Sequence, residues 1–526
     1  MKKIIPRRIF IKKAPLAVLV FAVLGFGLFA YDANKDFISN FQFYHIKSYT
    51  TLVSHAVFNE NNNNLASALG VLATNNEAGN LNIEQKFAKS VPALLYHSII
   101  NEPDGSNILL ENFKDQMFSL KKAGWQTVSI EDFYSFMKGE KELPDKSFLL
   151  TFDDGAKNSY YPVDPILRAL DFRAVMFVIT SRTTSPFYLS VRELDKMVKS
   201  GRWDLQSHGQ DDHDFYPINS TDEKGHFLSN KLWFKDVGRL ETSEEFRLRI
   251  SNDLKESKKW LEERYGKPIV SYAYPFGDYG QNSLNFVEGV IPMIEEVARS
   301  IYPISFYQVW EGKGHAFNYP EPTEFMIKRI SVKSDWTDVK LLSVLEKGSS
   351  KDLPYEDAFS ETSGLIKTWG NLNIHNNAIF IGANASTTGS SLFLDGSYLW
   401  QNYVFKAGVN LTKGQTFSLT ARYKDDKNYV ACSFSDKSIR VERFLNGERK
   451  VLSELKGNFV FLNKNREVGI GVYDSTVNCY VDGKIAMKGY HLDEHLDQGE
   501  IGFKTWDPQI NNSELVIKSI SVEEIK

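Results

Sequence analysis

The chain has little of what marks several large classes of protein. Its 526 residues contain only two cysteines, and 62 basic residues against 66 acidic ones give a net charge of −4. It has no P-loop, no dinucleotide-binding fingerprint and no long basic tract in the part expected to fold. A nucleic-acid partner is therefore not expected, because contacts to phosphates need a basic surface. The length exceeds that of one ordinary domain, so we expect two folded units with tethers.

The sequence has one long apolar run, at residues 15–31, next to a basic flank at residues 1–14. This pattern is typical of a signal peptide or a membrane anchor. Residues 28–30 fit a cleavage site poorly, so we expect an uncleaved single-pass anchor, with the flank in the cytoplasm and the folded part outside. Cleavage would instead give a secreted protein. Residues 32–88 are rich in Asn and are interpreted as a tether.

The clearest chemical signal is an apolar run that ends in two carboxylates. Residues 148–152 have the pattern of a buried strand, and Asp153, Asp154 and Gly155 follow directly. In α/β folds the chemistry collects at the carboxyl ends of such strands. Adjacent residues on an extended backbone point to opposite sides, so one acid can bind a metal while the other acts as a base. An ordinary turn after a strand is the alternative.

Two histidines follow a second strand-like segment, residues 203–207. His208 ends this segment and His213 lies in the next loop. Two imidazoles and one carboxylate leave a coordination position open for water, as in catalytic zinc sites, whereas a solvated loop is the alternative. A third strand-like segment, residues 268–273, ends in Tyr-Pro-Phe-Gly, a stiff turn that suits the apolar wall of a pocket.

In this order the three segments resemble the motifs of the polysaccharide deacetylase family, also called the NodB-homology or carbohydrate esterase family 4 domain. Residues 151–155 (TFDDG) resemble the first motif, residues 207–213 the second and residues 273–277 the third. In its longer spacing, the second motif resembles that of the poly-β-1,6-N-acetylglucosamine deacetylase branch. Residues 91–97 resemble the strand that opens the domain in this branch. The resemblance implies a distorted (β/α) barrel over residues 89–350, with fewer than eight regular strands, and the alternation of strand and helix patterns agrees with this α/β class.

The resemblance also implies roles for individual residues. Asp153 would be the catalytic base, and a divalent metal ion, zinc first with cobalt or nickel as alternatives, would be held by Asp154, His208 and His213. The substrate-binding residues implied are Tyr274, Pro275, Phe276 and His97. A backbone N–H near Tyr274 would help to hold the oxyanion.

The sequence departs from the family pattern in two places. Many members carry an Arg that pairs with the base where this chain has Ala273. Many also carry a late His that acts as general acid, and the matching residues 328–332 contain none. The general acid could instead be His97 or a residue of the insertion at residues 216–240. The insertion itself is interpreted as a lid, a groove wall or a surface loop.

After Pro354 the pattern changes to short alternating runs bounded by turn residues, which predicts an all-β sandwich at residues 356–526. It resembles concanavalin A-like, laminin G-like jelly rolls, some of which bind carbohydrate. Candidates for stacking on sugar rings, with core packing as the alternative, are Tyr398, Trp400 and Trp506. Both cysteines lie here, and either a disulfide or two buried thiols is compatible with the sequence.

The expected function is metal-dependent removal of N-acetyl groups from N-acetylglucosamine-containing polysaccharide outside the cytoplasmic membrane. The expected partners are this polysaccharide and the membrane, through residues 15–31. A catalytically weak or inactive cell-surface carbohydrate-binding protein is one alternative. A glycoside hydrolase is another, although the adjacent Asp153 and Asp154 suit a metal better than two acids placed across a cleft.

Overall fold

The computed structural model describes residues 86–309, 316–357, 359, 364–491 and 496–525. Strands alternate with helices in the first part of this range, and strands alone make up the last part. The predicted anchor at 15–31 lies outside the described residues, as does all but the end of the predicted tether. No helix in the described ranges is long and apolar enough to cross a membrane.

Seven parallel strands close into a barrel. They are Ala93–Tyr96 (β1), Ser147–Phe152 (β2), Ala174–Val178 (β3), Trp203–Ser207 (β4), Ser271–Ala273 (β5), Ile304–Val309 (β6) and Met326–Ser331 (β7). Each strand pairs with the next along the chain, and β7 pairs with β1 to close the ring. The predicted barrel with fewer than eight strands is confirmed. All seven carboxyl ends therefore meet at one rim.

Helices and short strands connect the barrel strands. The helices are Leu110–Lys122 (α1), Ile130–Met137 (α2), Asp164–Leu170 (α3), Val191–Ser200 (α4), Ser243–Tyr265 (α5), Val290–Arg299 (α6) and Asp338–Gly348 (α7). Short strands lie at Ile99–Ile100, Ile108–Leu109, Gln126–Thr127, Phe215–Pro217, Lys224–His226, Trp233–Phe234 and Arg239–Leu240. Helix α5 begins in a capping box formed by Thr242 and Glu245. Helix α6 begins directly after Gly289, which has a φ of 82°.

Most of the inside of the barrel is apolar. All six residues of β2 are buried. One core cluster joins side chains of six strands to α2, and includes Leu149, Phe177, Phe306 and Phe133. Burial of each such side chain stabilises the fold by about 1.5–3 kcal/mol relative to exposure. This packing holds the strand ends at the rim in fixed positions.

Two antiparallel sheets follow the barrel. Their strands are Tyr355–Asp357 (β8), Leu365–Trp369 (β9), Asn371–His375 (β10), Ala378–Gly382 (β11), Gly389–Leu394 (β12), Tyr403–Lys413 (β13), Thr416–Asp425 (β14), Asn428–Phe434 (β15), Ser438–Leu445 (β16), Glu448–Lys456 (β17), Asn465–Tyr473 (β18), Thr476–Val481 (β19), Lys484–His491 (β20), Glu500–Trp506 (β21) and Glu514–Glu524 (β22). One sheet has the order β10-β11-β22-β13-β18-β19-β20, with β8 also on β22, and the other has β9-β12-β21-β14-β15-β16-β17. Their facing side chains form one core, so this part is a β-sandwich.

The cysteines and the aromatic candidates of the sandwich have distinct positions. Cys432 on β15 and Cys479 on β19 form a disulfide that joins the two sheets. Trp400 is a core residue, and its indole N–H donates to the carbonyl of Lys351 at 2.8 Å. Trp506 is 49% exposed. Tyr398 stacks on Tyr319, with ring centroids 4.4 Å apart. The resemblance to concanavalin A-like jelly rolls stays a prediction.

Candidate active site

Two loops at the carboxyl rim of the barrel bring the predicted base and metal ligands together. Asp153 and Asp154 follow β2, His208 follows β4 directly and His213 lies in the same loop. Asp153 is 1% exposed and points into the barrel, whereas the side chain of Asp154 is 35% exposed. The two acids thus differ in exposure, although His208 lies near both. Asp154 has a φ of 71°, so a tight turn rather than an extended backbone separates them.

Asp154, His208 and His213 form a group that can hold a metal ion. One ligand atom from each lies within 4.8 Å of the others. Oδ1 of Asp154 is 3.6 Å from Nε2 of His208 and 3.8 Å from Nε2 of His213. The two imidazole rings have centroids 4.1 Å apart. Two nitrogens and one oxygen are a donor set that zinc accepts with a position left open.

The partner of each Nδ1 fixes the orientation of the two histidines. Nδ1 of His208 lies 2.7 Å from the carbonyl of Ala273, and a carbonyl can only accept, so this nitrogen carries the proton. Nδ1 of His213 lies 3.0 Å from Oδ1 of Asp212. In its neutral form, each ring with the proton on Nδ1 presents the lone pair of Nε2 toward Asp154. Nε2 of His213 is buried and has no hydrogen-bond partner among the described residues, so a bound cation would satisfy it.

Asp212 is held in turn by a buried network. The hydroxyl of Tyr272 donates to its Oδ2 at 2.6 Å. Burial raises the pKa of Asp212 to about 7, and the hydrogen bond from Tyr272 opposes that rise. An ideal Cβ on Gly209, which has a φ of 75°, would lie 2.1 Å from this carboxylate. Only glycine at position 209 lets Asp212 reach His213.

The charges in the group set the protonation of the ligands. Burial works to lower the pKa of His208, but the charges of Asp153 and Asp154 outweigh burial and raise it, so a metal ion would displace a proton from this ring. Burial and the charge of His208 lower the pKa of His213 well below its ordinary value, so this ring is neutral. Burial works to raise the pKa of Asp154, but its hydrogen bond and charge interaction with His208 outweigh burial and lower it. A neutral imidazole and an ionised carboxylate are the forms that bind a metal.

Arg329 on β7 pairs with the predicted base. Its Nη1 and Nη2 donate to Oδ1 and Oδ2 of Asp153 at 2.5 and 2.8 Å, and both side chains are buried. The guanidinium lies over the rings of Phe177 and Phe306. Burial works to raise the pKa of Asp153, but the charge of Arg329 outweighs burial and holds that pKa below its ordinary value. Arg329 takes the place of the Arg that the sequence lacks at Ala273.

His97 lies beside the base. Its Nε2 is 3.9 Å from Oδ2 of Asp153, and its side chain is 44% exposed. It follows β1, whose neighbour in the barrel is β2, so strand pairing places His97 next to Asp153. Among the substrate-binding residues predicted from the sequence, His97 therefore contacts both the site and the solvent.

The three residues predicted after β5 differ in their exposure. Phe276 is 47% exposed and its ring lies 5.7 Å from that of His213. Tyr274 and Pro275 are buried beneath it. The backbone N–H of Tyr274 donates to the carbonyl of Phe306 at 3.0 Å, so this N–H is not free to hold an oxyanion. Only Phe276 of the three presents surface to the site.

The insertion after His213 contributes to the same wall. Phe215 is 49% exposed, with its ring 5.5 Å from Phe276 and 4.9 Å from His226. His226 stacks on Phe276 at 4.7 Å, and its Nδ1 lies 2.5 Å from Asp278. His226 of the insertion therefore lies in the same wall as Phe276 and as Phe215, which directly precedes the insertion.

Residues 140–289 match the family model described as polysaccharide deacetylase. The chain carries a polysaccharide deacetylase domain. The matched segment of this deacetylase domain includes the base, the three candidate metal ligands and Phe276. It includes neither His97, which precedes it, nor Arg329, which follows it.

Named relatives support the same family. The chain is 26% identical over 204 residues to the poly-beta-1,6-N-acetyl-D-glucosamine N-deacetylase of Escherichia coli, covering 35% of this chain and 30% of that protein. It is 27% identical over 234 residues to the Staphylococcus epidermidis protein of the same name, covering 40% of this chain and 74% of that one. The solved de-N-acetylase from Aggregatibacter actinomycetemcomitans is similar over 48% of this chain and 99% of its own, at 18% identity and a TM-score of 0.42. The chain thus spans less than a third of the length of the Escherichia coli relative.

Proposed function

We propose that this protein hydrolyses N-acetyl groups of N-acetylglucosamine-containing polysaccharide, with a divalent metal ion held by Asp154, His208 and His213. The observation that carries the proposal is the buried Nε2 of His213, which has no hydrogen-bond partner among the described residues and faces Asp154 and His208. When bound, a divalent ion at these ligands would polarise the acetyl carbonyl and acidify the attacking water. Zinc suits the donor set best, with cobalt or nickel as alternatives.

Asp153 takes the proton of the attacking water. Arg329 keeps this carboxylate ionised near neutral pH and fixes its plane through two hydrogen bonds. A carboxylate has about four lone-pair sites, so Asp153 can still accept from water while it is paired with Arg329. Its Oδ2 is the oxygen that faces the site, 3.7 Å from Nε2 of His208.

His97 gives the proton that the leaving amine needs. The bond between the acyl carbon and the amide nitrogen breaks, acetate keeps the oxygen of water, and the amine leaves with the proton of His97. His97 suits this role because it lies beside the base and its side chain is partly open to solvent. In the insertion, His226 is instead bonded to Asp278 and packed on Phe276.

The substrate and the location are parts of the same proposal. The relatives are named for poly-β-1,6-N-acetylglucosamine, which favours that polymer. The disulfide Cys432–Cys479 supports an oxidising compartment outside the cytoplasm. The basic flank and the apolar run at residues 15–31 support attachment to the membrane.

Acetate release from N-acetylglucosamine oligomers tests the proposal. The full chain is treated with a chelator, then assayed with and without added zinc or cobalt, beside Asp154→Asn and Asp211→Asn variants. Asp211 lies in the His213 loop but is exposed, so its variant is a matched control. We expect acetate release to need the metal, to be lost in Asp154→Asn and to persist in Asp211→Asn. A folded, metal-loaded protein that releases no acetate would instead point to a carbohydrate-binding protein.

A further inference from the structure

A cleft separates the barrel rim from the sandwich. It has a volume of about 630 Å³, within the range usual for ligand sites. The barrel contributes Phe276, Tyr279, Tyr307 and Lys328, and the sandwich contributes Tyr398 and Lys424. None of the assigned site residues except Phe276 lines this cleft, so it is a separate space from the candidate metal group.

The cleft shares one residue with the candidate active site. Phe276 lies at both places, since its ring is 5.7 Å from His213 and it also lines the cleft. A Cβ atom built on Gly277 would lie 3.2 Å from the side chain of Gln308, so the loop after β5 packs closely against the end of β6. Phe276 therefore links the candidate metal group to the cleft.

The sandwich side of the cleft is built by two of its segments. Tyr398 precedes β13 and stacks on Tyr319 of the barrel, at 4.4 Å and an interplanar angle of 21°. Lys424 and Asp425 end β14, and Lys424 pairs with Asp497 at 3.5 Å. The stacking fixes the sandwich wall against the barrel at this point.

The side chains that line the cleft suit a sugar polymer. Aromatic faces of Tyr279, Tyr307 and Tyr398 can pack on the apolar faces of pyranose rings. Both signs of charge are present, on Glu324 and Asp425 and on Lys328 and Lys424, which offers acceptors and donors to hydroxyl and acetamido groups. The mixture favours a neutral, hydroxyl-rich ligand over an anion.

We propose that the sandwich forms one wall of a binding subsite for the N-acetylglucosamine units that neighbour the unit being deacetylated. This inference rests on the proposed function. A short substrate then contacts only the barrel, whereas a longer one also contacts Tyr398 and Lys424. The sandwich thereby sets a preference for chain length and is not a separately acting attachment module.

The test compares short and long substrates on the full chain. Tyr398→Ala and Lys424→Ala are assayed for acetate release from the N-acetylglucosamine dimer and hexamer. Tyr473→Ala, an exposed aromatic on β18 that does not line the cleft, is the matched control. We expect KM for the hexamer to rise roughly tenfold in Tyr398→Ala, the loss that corresponds to about 1.4 kcal/mol, with KM for the dimer unchanged. Lys424→Ala, which leaves the stack on Tyr319 in place, should show the same pattern.

The outcomes separate this inference from the proposed function. Activity of the wild type on the dimer supports the proposed function whatever the variants do. Equal KM values of wild type and both variants for the hexamer would overturn the subsite. A rise in KM for the hexamer in Trp506→Ala alone would also overturn it. Strand β21 begins at Glu500, which pairs with Tyr423 beside Lys424, and ends at Trp506, so Trp506 lies away from this wall of the cleft.

Discussion

Arg329 and Asp153 form a buried ion pair in which the guanidinium donates to both carboxylate oxygens. Arg329 is fully buried and Asp153 is 1% exposed. Removal of one partner would leave the other charge buried and unpaired, which costs more than the pair contributes when intact.

Arg329→Met should destabilise the protein by about 3 kcal/mol or more, because Asp153 would lose its counter-ion in an apolar surrounding. Acetate release should fall with it. Arg329→Lys, the matched variant, keeps the positive charge but not the two parallel hydrogen bonds. It should therefore retain part of the stability and part of the acetate release. Urea unfolding measures the stability. If Arg329→Met is as stable to urea as the wild type, the structural role of the pair is contradicted.

Asp212→Asn should lower zinc affinity about tenfold or more, because Asp212 orients His213 through Nδ1. Tyr272→Phe removes only the hydroxyl that holds Asp212 and should lower the affinity less. Calorimetric titration of the metal-free protein with zinc gives both values. An affinity of Asp212→Asn equal to that of the wild type would show that His213 needs no such support.

His97→Gln should lower kcat by about a hundredfold, the usual size of a lost general acid, while zinc affinity stays as in the wild type. The matched variant is His226→Gln, in the other candidate segment. Its expected effect is on KM, through the wall that His226 forms with Phe276. A larger kcat loss in His226→Gln than in His97→Gln would place the proton donor in the insertion.

Glu500 and Asp395 form a buried acidic pair in the sandwich, and the N–H of Gly396 lies 3.1 Å from Asp395 and 3.3 Å from Glu500. Burial and the charge of Asp395 raise the pKa of Glu500 well above its ordinary value, and Lys328 only partly opposes this. Glu500 therefore keeps its proton in the folded protein at pH values where the unfolded chain has released it, that is, above about 4.3, the ordinary pKa of Glu. The corresponding stability is present below that pH and is lost as pH rises toward the folded-state pKa.

Glu500→Gln should remove this dependence. Between about pH 5 and pH 8 the Tm of the wild type should fall more steeply than that of Glu500→Gln, because the amide neither gains nor loses a proton. Thermal unfolding across this range gives the two slopes. Glu448→Gln, an exposed change on β17, should keep the wild-type slope. Parallel slopes for wild type and Glu500→Gln would contradict the raised pKa.

Local sequence was enough to predict the strand ends of the site. Asp153, His208 and Phe276 each follow a short strand-like segment, and parallel strands bring such ends to one rim. Arg329 could not be found in this way. Its partner is distant in the chain, and the two meet only because β7 closes the ring beside β1, which is also the neighbour of β2. Two adjacent cations in the strand-like segment 326–331, Lys328 and Arg329, were the available signal.

Backbone geometry accounts for the other differences. The positive φ of Asp154 and of Gly289 depends on tertiary packing and not on apolar spacing alone. The same holds for the N–H of Tyr274, which pairs with Phe306 on the next strand. In the sandwich the alternation of buried residues on β13 predicts the strand, but whether Cys432 meets Cys479 depends on how the two sheets face each other.

The disulfide Cys432–Cys479 closes a loop that contains β16, β17 and β18. The turn at Gly447 and the segment at 457–464 lie at the surface of this loop and are the natural places for a protease to cut. A single cut in either leaves both fragments covalently joined. Nicked protein should therefore run as one chain in a denaturing gel without reductant and as two once the bond is reduced.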